Sequence, residues 1–379
     1  MFKDCVERNV EVAYKLKAKD YLNYCGENIN DTRMMESKFT CFNPKYRIVE
    51  NVLLLPYSEP YHIPSSGFFE HWAYDKYLNP IMIANHYKPI LKGYKDHDFL
   101  PSYPFKNFKS KKIAGNYYYM GMLNPHFGHF IQESITRFWL ALEKPNLLNT
   151  KTKFVFHVLK NFNKEAFFNS NLTQFLTALG MTKNNIIFVQ EPIVLESVII
   201  PESGISISDG NCYLSEQSKK VWNYVNHSMT DINKKSVANI TSGKVYLSRS
   251  KVKNPIQGRV LTNEAELECN LLKLGFNIVN PEDYDQNEMQ AILNKTKVIA
   301  GAPGSGLQNS FFIPHTATTI AFTTKPIIAI NPGLNHQIHT DLICGNKTNA
   351  IIAKHDVAQT KMSWSIDVSS AIKFIKKVV

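Results

Sequence analysis

Long apolar runs are missing from this sequence. Nowhere do about 18 apolar residues follow one another, so no membrane-spanning helix is expected. The opening stretch, MFKDCVERNVEVAYKLKAKD, has no apolar segment of the kind a secretory signal needs. Cysteine is sparse as well: six residues (Cys5, Cys25, Cys41, Cys212, Cys269 and Cys344) lie far apart, with no C-x-x-C. That spacing speaks against a disulfide scaffold or a zinc knuckle and for reduced thiols in a cytoplasmic protein. Arginine-rich tracts, internal repeats and low-complexity segments are also absent. So are the G-x-G-x-x-G and P-loop nucleotide patterns.

What is present is ordinary globular composition, 44% hydrophobic and 20% charged over 379 residues. A chain of this length exceeds the size at which one core usually keeps growing, so two domains are expected, 1–235 and 236–379. The polar stretch 231–243 is the expected linker. The formal charge of +11 makes the surface attractive to anions. The lysines are dispersed, which favours a solvated surface over a nucleic-acid-binding stripe. Such a surface also suits peripheral work at the inner, anionic face of a membrane.

Residues 1–115 are the least legible, with one clear strand at Val52–Tyr57. From there the pattern is regular: strands at Tyr117–Leu123, Lys153–Leu159, Ile186–Gln190 and Val194–Pro201, a helix from near Phe127 and another ending at Gly180. A further helix is expected from Tyr213 to about Met229. The second half alternates strands (Lys244–Ser248, Phe276–Val279, Val298–Ala300, Thr318–Thr323) with helices (Asn263–Leu274, Gln286–Asn294) and ends in a helix over Val368–Val378. Such alternation predicts a layered α/β fold with a parallel sheet, and a Rossmann-like second half of about five strands.

Three segments carry candidate chemistry. In VIAGAPGSGLQNSFF (298–312) a β-branched strand runs into Gly301, Gly304 and Gly306 and then a helix-compatible run. Glycines there let backbone N–H groups approach an anion, with Ser305 and Asn309 as side-chain donors. In VYLSRSKVKNPIQGRVLTNEAEL, Arg249 ends a strand and Arg259 precedes Asn263-Glu264 at a helix start. Arginines at strand ends of an α/β sheet face the ligand crevice, and two guanidiniums can grip a diphosphate bidentately. A local Arg259–Glu264 ion pair with a solvated Arg249 is the plainer alternative.

The third segment, NPHFGHFIQESITRFW (124–139), reads as an amphipathic helix. At about 100° per residue, Ile131, Ile135, Phe138, Trp139 and Leu142 share an apolar arc. His126, His129, Glu133 and Arg137 fall together on the opposite side, within roughly 80°. H-x-x-H alone leaves a zinc site incomplete, so no metal site is expected. His129 and Glu133, four apart, would make an imidazole–carboxylate pair suited to proton abstraction, while Glu133 and Arg137 as a plain surface ion pair is the competing reading.

In their order, these segments and GFNIVNPEDYDQNEMQAI resemble glycosyltransferase family 61 in its bacterial polysaccharide-biosynthesis form, over about residues 116–322. The pattern is N-[FY]-x-H-[FW] before a helix, S-R-x(n)-R-x-x-N-E, G-F-x-[IV]-[VI]-x-P-E and H-G-x-G-L-x-N-x-x-F-x-P. The resemblance implies a GT-B-like fold, two Rossmann-like lobes with a cleft between them. It also implies metal-independent, inverting transfer from a nucleotide sugar to a glycan or lipid-linked glycan. Carried over, Arg249, Arg259, Asn263, Glu264, Gly304, Ser305, Gly306 and Asn309 bind the donor. His129, Glu133 and His126 are the catalytic candidates, with the choice of base between His129 and Glu133 open. His126 stands where the family often has asparagine, Pro303 where it has histidine, and Ala321 where a glutamate commonly follows the last strand. These departures make a catalytically inactive scaffold that binds glycan or protein partners the alternative.

Overall fold

A computed structural model of the protein describes residues 15–17, 21–30, 35, 38–56, 73–79, 81–84, 110–159, 161–208, 211–230, 242–252, 260–314, 316–325, 333–353 and 363–379. The strands used below are β1 (Leu22–Gly26), β2 (Tyr46–Leu54), β3 (Ala73–Tyr74), β4 (Lys111–Met122), β5 (Lys153–His157), β6 (Ile186–Val189), β7 (Ile193–Pro201), β8 (Ile205–Ser208) and β9 (Asn211–Leu214). They continue as β10 (Lys244–Leu247), β11 (Val260–Leu261), β12 (Asn277–Val279), β13 (Val298–Gly301), β14 (Thr318–Thr324), β15 (Lys347–Ala353) and β16 (Ser363–Trp364). The helices are α1 (Lys164–Phe168), α2 (Leu172–Ala178), α3 (Glu216–Thr230), α4 (Glu264–Lys273), α5 (Gln286–Leu293), α6 (Gly333–Cys344) and α7 (Val368–Val378), besides a composite helix at 127–143.

The fold is α/β, and the chain forms two compact units. One contains 40–221; the other combines 15–39 with 222–379, so the division falls within α3. The linker expected at 231–243 lies, but for its last two residues, outside the described residues.

In the first unit a six-stranded sheet runs β3-β2-β7-β4-β5-β6. β7, β4, β5 and β6 are parallel, and β2 pairs antiparallel with β7 and β3. Tyr117 to Met120 of β4 are all buried, as expected of a central strand covered on both faces. Tyr117 and Tyr119 join Val52, Val155, Val189, Leu195 and Val198 in one core. On the other face the Tyr118 ring meets Phe138 and Phe154. Two helix expectations change here. β8 and β9 form an antiparallel hairpin where the α3 helix was expected to start, so Tyr213 is a strand residue and the helix begins at Glu216. Ser215 makes that switch, its Oγ accepting the N–H of Ser218 at 3.3 Å. The helix ending at Gly180 is two short helices, α1 and α2, and Gly180 closes the second with φ +75°.

The second unit is an all-parallel six-stranded sheet, β12-β10-β13-β14-β15-β1. Its near-continuous apolar strands fit burial on both faces. β15, α6 and β1 are additions to the sequence reading. β1 reaches the sheet edge because Gly26, at φ +100°, lies so close to β15 that a Cβ would stand 2.0 Å from the Ile352 carbonyl oxygen. The terminal helix α7 packs on α4 and β1, and Ala371 and Ile375 are buried in the same core as Leu267 and Leu271.

Candidate active site

In a parallel sheet the strand C-termini gather loops along one edge, where ligands bind. In the second unit Leu247 of β10 lies opposite both Val279 of β12 and Gly301 of β13. Three loops therefore leave side by side: Asn280 after β12, Ser248-Arg249-Ser250 after β10, and 302–306 after β13. Ser248 donates its N–H to the Val279 carbonyl at 2.8 Å and its hydroxyl to Glu268 Oε1 at 2.6 Å. Ser250 Oγ donates to Asn280 Oδ1 at 3.1 Å.

Arg249 is half-buried, and its Nε is buried with no hydrogen-bond partner among the described residues. An unmatched buried guanidinium nitrogen is costly, which makes Arg249 the residue of this edge most in need of an acceptor. Its backbone N–H is held by Glu264 Oε1 at 3.0 Å, and the same oxygen accepts the Tyr246 hydroxyl at 2.8 Å. Burial, with the Glu264 carboxylate next in weight, holds that phenol well above its ordinary pKa. The other arginine of the pair, Arg259, lies outside the described residues; β11 begins immediately after it.

Asn263 is otherwise engaged. Its Nδ2 donates to the Ile366 carbonyl at 2.8 Å and its Oδ1 accepts the Ile366 N–H at 3.1 Å, a clip beside the β11–β16 pairing. Asn263 therefore fastens the start of α4 to the C-terminal segment, with both ends of its amide used.

The glycine turn follows β13 as expected, but the element after it is a six-residue 3-10 helix, Leu307–Phe312, buried throughout. Gly304 has φ +138° and accepts the Gln308 N–H at 3.0 Å. Gly306 accepts both the N–H of Asn309 at 3.1 Å and its Nδ2 at 2.8 Å, which leaves Asn309 Oδ1 buried and unmatched among the described residues. Asn309 closes the turn on itself, and Ser305 sits half-buried at its tip. Ala321 does not follow a strand: it lies within β14, buried, opposite Gly301 and Ala350.

In the first unit, β4 delivers the chain to the composite helix. Ser134 Oγ donates to the Met122 carbonyl at 2.8 Å and accepts the Asn124 N–H at 3.0 Å, while Asn124 Oδ1 accepts the His126 N–H at 2.9 Å. The helix is not regular: Phe127–His129 is α, Phe130–Ser134 is π, Thr136–Phe138 is 3-10 and Trp139–Glu143 is α again. The wide turn is closed by the Ile135 N–H on the Phe130 carbonyl at 3.3 Å.

This irregularity splits the expected polar face. His129 and Glu133 do meet, Nδ1 to Oε1 at 3.0 Å, with side-chain exposures of 38% and 10%. Because a carboxylate can only accept, His129 carries its proton on Nδ1 and leaves the Nε2 lone pair free to take one. His126 is exposed, its ring 5.4 Å from that of His129. Arg137 does not join them. It is 1% exposed and donates to the carbonyls of Ile83, Ala84 and Pro201, so it is a core cation tying three segments together, not a surface partner of Glu133. The uniform advance of an α-helix placed it wrongly, since a π turn lets the chain fall behind that angle.

Sequence reasoning missed Tyr246, Ser248, Ser250, Glu268 and Asn280, which support Arg249. The i,i+4 spacing of Glu264 and Glu268 was a usable signal that one face of α4 is acidic.

The α/β fold thus holds an imidazole–carboxylate pair in one unit and, in the other, a strand-end arginine beside a glycine turn. The family is given by comparison: the Glycosyltransferase 61 profile matches residues 127–320, slightly more than half of the chain, and the protein belongs to that family of glycosyltransferases. The match includes every expected catalytic or donor-binding residue except His126, one residue before its start. No curated protein matches the chain. Among the described residues no helix is long and apolar enough to cross a membrane, and no cluster of three metal-ligating side chains occurs.

Proposed function

We propose that this protein is an inverting glycosyltransferase that moves a sugar from a nucleotide-sugar donor to a glycan acceptor in cell-surface or capsular polysaccharide biosynthesis. The observation that carries the donor half is Arg249, whose Nε is buried and, among the described residues, unmatched at the strand-end edge of a parallel sheet, beside the glycine turn. Arg249 and Arg259 neutralise the diphosphate as it leaves, a task that bidentate guanidiniums perform without a metal. The acceptor half rests on the His129–Glu133 pair. The acceptor oxygen attacks the anomeric carbon, its proton passes to His129 Nε2, and the bond to the diphosphate breaks with its electrons on the leaving oxygen. A single displacement of this kind inverts the anomeric centre. Glu133 holds the imidazole in the required tautomer and offsets the charge it gains.

The test is thermal stabilisation of the intact protein by UDP-, GDP-, CMP- and dTDP-sugars, since a specific ligand raises stability with its saturation. One class should shift the melting temperature, and Arg249→Ala should weaken that ligand by roughly tenfold or more. A wild type indifferent to the whole panel, or an Arg249→Ala variant with unchanged affinity, would overturn the donor assignment.

A further inference from the structure

Two carboxylates on one face of α4 grip the segment that carries Arg249. Glu264 Oε1 receives the Arg249 N–H at 3.0 Å and the Tyr246 O–H at 2.8 Å, and Glu268 Oε1 receives the Ser248 hydroxyl at 2.6 Å. Glu264 stands in the first turn of α4, where the unsatisfied N–H groups favour a carboxylate. The start of α4 is itself fixed by the Asn263 clip to Ile366. Hydrogen bonds thus tie Ile366 to Asn263, and those of the next residue, Glu264, end at the peptide of Arg249.

We propose that Glu264 is a positioning residue for donor binding: it does not bind the donor itself but fixes the Arg249 backbone, and so sets where the Arg249 guanidinium points. This rests on the donor reading above. Tyr246 takes the second lone pair of the same oxygen and keeps the carboxylate from turning away from the Arg249 N–H. Glu268 secures the preceding residue in the same way, so the strand end cannot drift along the helix.

A backbone clamp makes a demand different from that of a charged ligand contact. It requires an acceptor oxygen at full glutamate reach, and it does not require the negative charge. Glu264→Gln keeps the reach and an acceptor oxygen; Glu264→Asp keeps the charge and loses the reach.

The experiment is a calorimetric titration of the intact protein with UDP, GDP, CDP and dTDP, continued with whichever diphosphate binds the wild type most tightly. Expected is near-wild-type affinity for Glu264→Gln and a loss of roughly tenfold for Glu264→Asp. In addition, Glu264→Asp combined with Arg249→Ala should bind no worse than Arg249→Ala alone, because the first residue acts through the second. Circular dichroism melts of each variant establish that the fold is kept, and if Glu264→Asp does not fold, Glu264→Ala takes its place. Wild-type binding with equal losses for Gln and Asp, or with additive losses in the double variant, would show a direct or purely electrostatic role and overturn the proposal alone. No wild-type binding of any diphosphate would overturn the donor reading together with it.

Discussion

His129 and Glu133 share a hydrogen bond but not a setting. Glu133 is the more enclosed of the two, and its Oε1 is committed to His129; the imidazole is more than a third exposed, with Nε2 on its far side. A base must reach its proton, and on that ground the proposal makes His129 the base and Glu133 its orienting partner. On this assignment His129→Ala should lower kcat by roughly 10²–10⁴. Glu133→Gln, whose amide oxygen still accepts from Nδ1, should cost clearly less, and neither change should move the donor KM. Steady-state kinetics decide the matter: a Glu133→Gln loss equal to or above that of His129→Ala would make the carboxylate the base.

At the scale of elements, the composite helix is organised around Arg137 and what lies beneath it. Gly121 of β4 has φ +80°, and a Cβ there would stand 2.7 Å from Arg137 Nε. The cation can reach the carbonyls of Ile83, Ala84 and Pro201 only across a strand that carries no side chain at that point. Gly121→Ala should therefore destabilise the protein by about 2–4 kcal/mol, through left-handed strain plus displacement of a buried cation. Urea unfolding with a change under about 0.5 kcal/mol, within the range of a surface substitution, would show that the strand yields easily.

The same helix shows where legibility ends. Its apolar residues, its start near Phe127 and the His129–Glu133 contact follow from spacing alone. Its π turn does not, because the groups that hold Arg137 in the core come from residues far away in sequence. In the second unit, β10, β12, β13 and β14 were readable to within a residue or two, since short β-branched runs there are punctuated by glycine and proline. α7 was readable at both ends from its apolar period. β1 was not: LNYCG is short and half polar, and only its pairing with β15 makes it a strand. Arg249 was legible as a strand-end cation. The roles of Asn263 and Glu264 were not, because their partners Ile366 and Tyr246 carry no local sign of the contact.

At the scale of the whole second unit, four elements meet on one buried carboxylate. Asp341 of α6 accepts from Thr319 Oγ1 of β14 at 3.0 Å, from Gln337 Nε2 of its own helix at 3.0 Å and from Thr348 Oγ1 of β15 at 2.8 Å, with Ser310 of the 3-10 helix beside them. Burial raises its pKa from 3.8 to about 6, against the lowering effect of those donors. The folded state therefore binds the Asp341 proton more tightly than the unfolded chain does. The resulting stabilisation is fully present below the unfolded value and is lost as pH rises through about 6. The ionised carboxylate at neutral pH thus costs on the order of 3 kcal/mol relative to the protonated one. Ser310 lies in the 3-10 helix that the glycine turn feeds, so the network also ties that turn to the sheet. Asp341→Asn removes the titration while keeping one acceptor oxygen. Between pH 4.5 and 7 this variant should show a melting temperature that falls less with rising pH, or rises more, than that of the wild type. Equal slopes for the two proteins over that window would mean that Asp341 ionises at its ordinary value despite its burial.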